Sequence, residues 1–308
     1  MKCWRKTDVS SKKSNIVIIG AGALGKVFGT LLADQANVVL LERNPLTYRE
    51  MKKGYFYQEG CAYKKTLVKM ISSIDQFSEH IDILIFATKA FDLKQAAMEN
   101  NACEPDYIFL PQNGLFDYGW MNAEFQTTQI CRGVVTLACQ ETYHNQVTLF
   151  HRGQIYIGEK GAVNIARLFR RAGVATKIYD DSTGCIWAKL IFSSVMNPLP
   201  IMTQRGYGVL RDPFVWKIVK EAVLEGKLIA KSLEIKLAFD PLKLIERVRQ
   251  GDLMDLEYKG SMFQDFVTGR KLEIEFITGE LIRQARHLNI EAPMLNYIFQ
   301  ETKKFNLV

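Results

Sequence analysis

The stretch Asn15-Ile-Val-Ile-Ile-Gly20-Ala-Gly22-Ala-Leu-Gly25 decides how the rest of the chain is read. Its apolar, β-branched opening is the pattern of a parallel strand covered on both faces. That strand runs directly into Gly20, Gly22 and Gly25, the G-x-G-x-x-G turn of a dinucleotide site. The first glycine permits a tight turn, the second lets backbone approach a pyrophosphate, and the third allows helix to pack on strand. Ala21, Ala23 and Leu24 fill the turn, and the helix opening near Ala23 would offer its positive end to the phosphates.

Downstream residues fit the same unit. Leu24, Val27, Phe28, Leu31 and Leu32 recur at helical spacing, and a second apolar strand follows at Val38 to Leu41. Glu42 ends that strand about twenty positions past the first glycine, where an acidic side chain meets the ribose of a dinucleotide. Further strands are expected at Ile81 to Ala87 and Tyr107 to Leu110, ending in Thr88-Lys89 and Pro111-Gln112-Asn113-Gly114. Strands alternating with helical stretches predict an α/β fold with a Rossmann-type, doubly wound sheet. Gly20, Glu42, Lys89 and Asn113 then gather at one crevice beyond the strand ends.

From Gly133 to Gly158 the pattern is β-rich, with turns at His144-Asn145 and Arg152-Gly153, and reads as antiparallel strands extending that sheet. A helix is expected at Asn164 to Ala172 and a last strand at Thr176 to Tyr179. The polar run Asp180 to Gly184 marks a boundary, dividing a dinucleotide-binding domain, 15–182, from an all-helical domain, 183–308. Helices in the second domain are expected at Cys185 to Met196, Phe214 to Leu233, Pro241 to Gln250, near Ser261, and at Lys271 to His287.

Composition narrows the function class. A 308-residue chain with 48% hydrophobic content can bury two cores. Residues 1–14 read as a disordered basic extension, with neither a secretory signal nor a membrane span. Lys2, Arg5, Lys6, Lys12 and Lys13 against Asp8 supply four of the formal +7 charges, so the folded body is only mildly cationic. No basic stripe with interleaved aromatics argues for nucleic acid. The six cysteines are scattered without a C-x-x-C pair and the four histidines are dispersed, so no metal site is expected and the thiols read as reduced core residues of a cytoplasmic protein. No G-x-S-x-G elbow is present either.

On the first helix of the second domain, Lys189, Ser193 and Asn197 are spaced i, i+4, i+8 among apolar neighbours. Such a lysine either snorkels to water or points into a cleft.

With these blocks in view, the chain after its basic tail resembles ketopantoate reductase. The resemblance is carried by Gly20 to Gly25, Thr88-Lys89-Ala90, Pro111-Gln-Asn113-Gly114, Trp187-Ala-Lys189-Leu190, Met196-Asn197-Pro198-Leu199, Gly260-Ser261-Met262-Phe-Gln264-Asp265 and Glu273-Ile-Glu-Phe-Ile-Thr-Gly279. It implies hydride transfer from a reduced nicotinamide to the 2-oxo carbon of ketopantoate, giving pantoate for pantothenate and coenzyme A. Carried over, Lys189 is the general acid and Glu273 sits beside it, while Lys89 and Asn113 line the nicotinamide and substrate crevice. Asn197 and Ser261 would bind substrate, and Ala138 and Glu273 would add cofactor contacts.

Two positions depart from the family pattern. Ser193 stands where asparagine is usual one turn after the lysine, and another family asparagine falls at or near Tyr207; the resemblance implies that both sites touch substrate. A different branched 2-oxo acid therefore stays open as substrate, as does a non-catalytic, dinucleotide-sensing relative and a homodimeric state. NADP is favoured over NAD: Glu42 suits a free 2′-OH, but Arg43 and Asn44 beside it, and the family's habit, suit a 2′-phosphate.

Overall fold

The protein was described from a computed structural model covering residues 13–305, apart from 127 and 160. Of the extension expected at 1–14, residues 1–12 lie outside the described residues, while the Ser14 carbonyl already accepts the Asn37 N–H at 2.9 Å.

The glycine turn behaves as its spacing requires. Strand β1 (Asn15–Ile19) is buried throughout, and α1 (Ala23–Leu32) starts directly after Gly22. Strand β2 (Asn37–Leu41) pairs parallel to β1. Helix α2 (Pro45–Met51) follows, its first turn capped by the Asn44 side chain. The chain continues through β3 (Tyr55–Glu59), β4 (Ala62–Thr66), β5 (Lys69–Ile71), β6 (Ile83–Phe86), α3 (Leu93–Met98), β7 (Tyr107–Leu110) and α4 (Met121–Glu124). Then come β8 (Gln129–Val135), β9 (Ala138–Tyr143), β10 (Gln146–His151), β11 (Gln154–Ile157), α5 (Ala162–Arg171) and β12 (Ala175–Ile178).

Eight strands form the main sheet, in the order β12-β11-β8-β7-β6-β1-β2-β5. All neighbours are parallel except β8 and β11. The order reverses between β1 and β6, so the loops leaving β1, β2, β6 and β7 diverge around one crevice.

The β-rich segment after Gly133 divides between two sheets rather than only extending the first. Strands β8 and β11 join the main sheet, whereas β9 and β10 pair with the β3–β4 hairpin in a second sheet, β4-β3-β10-β9. The reason is α1. Its Val27, Phe28 and Leu32 face a core that also holds Tyr55, Tyr57, Val147 and Leu149, so the helix needs a cover on its outer side. The second sheet is that cover.

The remainder is helical: α6 (Thr183–Met196), α7 (Leu199–Thr203), α8 (Pro213–Ser232), α9 (Pro241–Gln250), α10 (Gly260–Val267), α11 (Thr278–His287) and α12 (Pro293–Lys303). Helix α6 is the hub, packing against α8, α9, α11 and α12. The stretch Thr183–Thr203 is long and apolar enough to cross a membrane by length and composition, and most of it is buried inside this domain. The helix expected at Lys271 to His287 begins only at Thr278, because a short 3-10 turn at Ile274–Phe276 and a break at Ile277 (φ −111°, ψ −88°) precede it. Glu273 is thereby left in a connecting segment, free to reach the first domain.

Candidate active site

A cavity of about 480 Å³ lies where the strand loops of the first domain meet α6 and α10 of the second. That volume is in the range of small-molecule and cofactor sites. Residues 20–24 of the glycine turn form one wall, and Gly25 lies behind it. A Cβ at Gly25 would fall 1.9 Å from the Gly20 carbonyl oxygen, so only glycine lets α1 sit this close. At Gly22 a Cβ would meet nothing within 4 Å, which leaves space above the opening turn of α1. No side chain caps that turn and no acid stands in it, so its N–H groups and positive helix end point at the cavity.

Thr88 and Gln112, at the ends of β6 and β7, also line the cavity. Gln112 donates to the Phe86 carbonyl at 2.6 Å, but its Oε1 and the Thr88 Oγ1 have no protein partner. Buried polar atoms of this kind normally find one. A dinucleotide fits these features: open space over a glycine, unsatisfied helix N–H groups and orphaned polar atoms along one crevice.

Lys89 follows Thr88. Its Nζ donates to Asp265 Oδ2 at 2.6 Å and to Glu273 Oε2 at 3.4 Å. Burial works against the ammonium, but the Glu273 and Asp265 carboxylates outweigh it and hold the Lys89 pKa above the usual lysine range. Glu273 also accepts the Ala90 N–H at 3.0 Å, so the helical domain caps the 3-10 turn (Ala90–Asp92) that opens beyond β6. The sequence placed Glu273 beside Lys189; the structure places it on Lys89. Asp265, four residues after Ser261 on α10, went unassigned, although the i, i+4 spacing was a usable signal.

Lys189 is different. Among the described residues it has no hydrogen bond or ion pair, and its Nζ lies over the Phe192 ring, 5.1 Å from the centroid. Burial without a counter-ion pushes its ammonium down to about 8. It lines the cavity with Asn113, Ala138, Asn197 and Ser261. The side chains of Asn113, Asn197 and Ser261 likewise have no protein hydrogen bond among the described residues. Ser193 does not join them. It is 1% exposed, its Oγ is unpartnered, and Phe192 supplies the wall at that turn. Tyr207 does line the cavity, its ring 6.0 Å from that of Tyr258 in an edge-on arrangement.

Glu42 and Arg43 line the far end beyond β2. Glu42 Oε1 accepts the Asn44 N–H at 2.7 Å, and Arg43 is engaged by Glu99, a residue that sequence reasoning left unassigned. Among the described residues that line the cavity, Cys139 is the one cysteine.

Comparison with known proteins agrees with this geometry. A family model described as ketopantoate reductase PanE/ApbA matches residues 16–161, and the corresponding C-terminal model matches residues 181–306. A 2-dehydropantoate 2-reductase of Pyrococcus horikoshii is 29% identical over 291 residues, covering 92% of this chain and 94% of its own. That of Pyrococcus abyssi is 27% identical over 288 residues, covering 91% and 93%. Two solved structures share the fold with a TM-score of 0.85 and cover 95% of this chain and 98% of their own. One is a PanE/ApbA family ketopantoate reductase from Ralstonia eutropha, 24% identical, and the other a D-mandelate dehydrogenase with NADH and anilino(oxo)acetate, 19% identical. With both halves matched in order and the cleft between them so furnished, the chain belongs to the ketopantoate reductase family.

Proposed function

We propose that this chain reduces a 2-oxo acid, 2-dehydropantoate by its family's precedent, using NADPH and a proton from Lys189. The observation that carries the reading is Lys189: an unpaired ammonium, pushed down to about 8, across the cavity from a dinucleotide-type glycine turn. A reduced nicotinamide supplies hydride when bound. Negative charge that grows on the 2-oxo oxygen needs a nearby cation and a proton, and an ammonium provides both, typically for about 10²–10⁴-fold in rate. Because no protein carboxylate competes for Lys189, its charge is available to substrate.

The glycine turn and the first N–H groups of α1 would hold the pyrophosphate, and Arg43 would meet the ribose 2′-phosphate. Thr88, Lys89, Asn113, Ala138 and Glu273 line the cavity and would hold the nicotinamide end. Asp265 and Glu273 fix the Lys89 ammonium in place, and Asn197 and Ser261 offer hydrogen bonds to the substrate carboxylate and side chain. A substrate with a less polar side chain than that of ketopantoate is favoured by one feature: Phe192, Tyr207, Met254 and Tyr258 line the cavity with Asn197, while Ser193 contributes nothing to it.

The test is loss of NADPH absorbance with 2-dehydropantoate and a panel of branched and aryl 2-oxo acids. Turnover with at least one is expected. Tight cofactor binding without turnover of any would instead support a non-catalytic dinucleotide sensor.

A further inference from the structure

Arg43 is not a free cation. Its Nη1 lies 3.0 Å from both carboxylate oxygens of Glu99, and Gln95 Nε2 donates to Glu99 Oε1 at 2.8 Å, which steadies that carboxylate. Arg43 leaves the end of β2, whereas Glu99 caps the C-terminus of α3, so the pair bridges two loops around the crevice. Both side chains line the cavity, together with Glu42 and Asp92. Glu99 is thus the carboxylate that engages this guanidinium, while Glu42 and Asp92 add negative charge to the same cavity lining.

The other cations of the cavity cannot take over its role. Lys89 is held by Asp265 and Glu273, Arg270 by Glu141, and Lys189 belongs to α6 in the opposite domain. A 2′-phosphate arriving at this end must therefore share Arg43 with Glu99, which holds Nη1, or displace that carboxylate, and in either case sits beside its negative charge. A 2′-hydroxyl has neither obstacle, and it can donate to Glu42 or Glu99.

We propose that Glu99 is a specificity-determining residue, which competes with the cofactor 2′-phosphate for Arg43 and so restrains the preference for NADPH over NADH. This rests on the dinucleotide reading above. The pair is half exposed, at 52% and 44%, so breaking the ion pair itself costs little. The larger effect is charge. A carboxylate beside a phosphate carrying up to two negative charges repels it through solvent, an effect on the order of tenfold in affinity at low salt.

The experiment measures nucleotide fluorescence on binding to the full chain, without substrate. It compares NADPH and NADH in the wild type, Glu99→Gln, Arg43→Ala and the double variant. Glu99→Gln is expected to tighten NADPH about tenfold and to change NADH less than twofold, and the gain should vanish in the double variant and shrink as salt is raised. Equal shifts for both cofactors, no shift for either, or a gain that survives without Arg43 would overturn the role of Glu99 while leaving the reductase reading intact. Failure of the wild type to bind either cofactor would overturn both.

Discussion

Lys189 and Lys89 stand in the same cleft and differ in one respect, their counter-ions. Two carboxylates hold Lys89 charged well above the usual range, so it does not titrate near neutrality. Lys189 has only the Phe192 face, and burial brings it down to about 8. In the proposed role of general acid it must be protonated to act, so the rate of 2-oxo acid reduction should be level below about pH 8 and fall about tenfold per pH unit above it. A profile of kcat/KM against pH measures this. Lys189→Arg should abolish that limb together with most of the activity, since a guanidinium keeps its proton at these pH values. An unchanged alkaline limb in Lys189→Arg would assign the titration to another group.

At the scale of elements, the glycine turn makes two opposite predictions for the same substitution. Gly25→Ala places a Cβ 1.9 Å from the Gly20 carbonyl oxygen and must push α1 off β1, costing about 1–3 kcal/mol or more as overpacking does. Gly22→Ala meets nothing within 4 Å, so thermal stability should hold while dinucleotide affinity falls, because the methyl enters the space needed by the pyrophosphate. Calorimetry and a cofactor titration separate the two; an equal loss of stability in both would contradict the geometry. The β1-α1-β2 unit was legible in sequence because each signal is local: a β-branched run, three glycines, a helical stripe. The second sheet was not. Alternation identified β9 and β10 as strands, but β10 pairs parallel with β3, some ninety residues earlier, and nothing in the pattern names that partner. The helix drawn through Lys271 failed for a related reason. Its apolar spacing is right, yet Glu273 is committed to Lys89 and Ala90, more than 180 residues away.

Across the whole molecule, the two domains are tied by charged and backbone contacts that ring the cavity. The Leu115 N–H donates to the Phe276 carbonyl at 3.0 Å, and Gly114 (φ +94°) lies so close that a Cβ would fall 2.4 Å from the same oxygen. A second tie runs through Lys26 of α1, which is fully buried and paired with Glu141 on β9. Glu141 in turn accepts from Arg270 after α10 at 3.0 Å. Burial lowers the Lys26 pKa and Glu141 works against that, so removing Glu141 leaves an uncompensated buried charge. Glu141→Gln is expected to cost about 3–5 kcal/mol, and Lys26→Met in the same chain to restore much of it. Denaturant unfolding decides, and full stability in Glu141→Gln would show that the pair carries no weight. The strand ends pointed to the crevice in sequence, and Lys189 and Asn197 of α6 line it, but Ser193 between them does not, and a long-range partner such as Glu141 emerged only with the fold.

The central claim is that a helical-domain ammonium delivers the proton while the sheet domain holds the nucleotide. Lys189→Ala, assayed for NADPH binding by fluorescence and for kcat with the best 2-oxo acid of the panel, tests it most directly. Cofactor affinity within twofold of wild type and kcat lowered about 10²–10⁴-fold is the expected result. An unchanged kcat, or a loss that arises wholly from weaker cofactor binding, would contradict it.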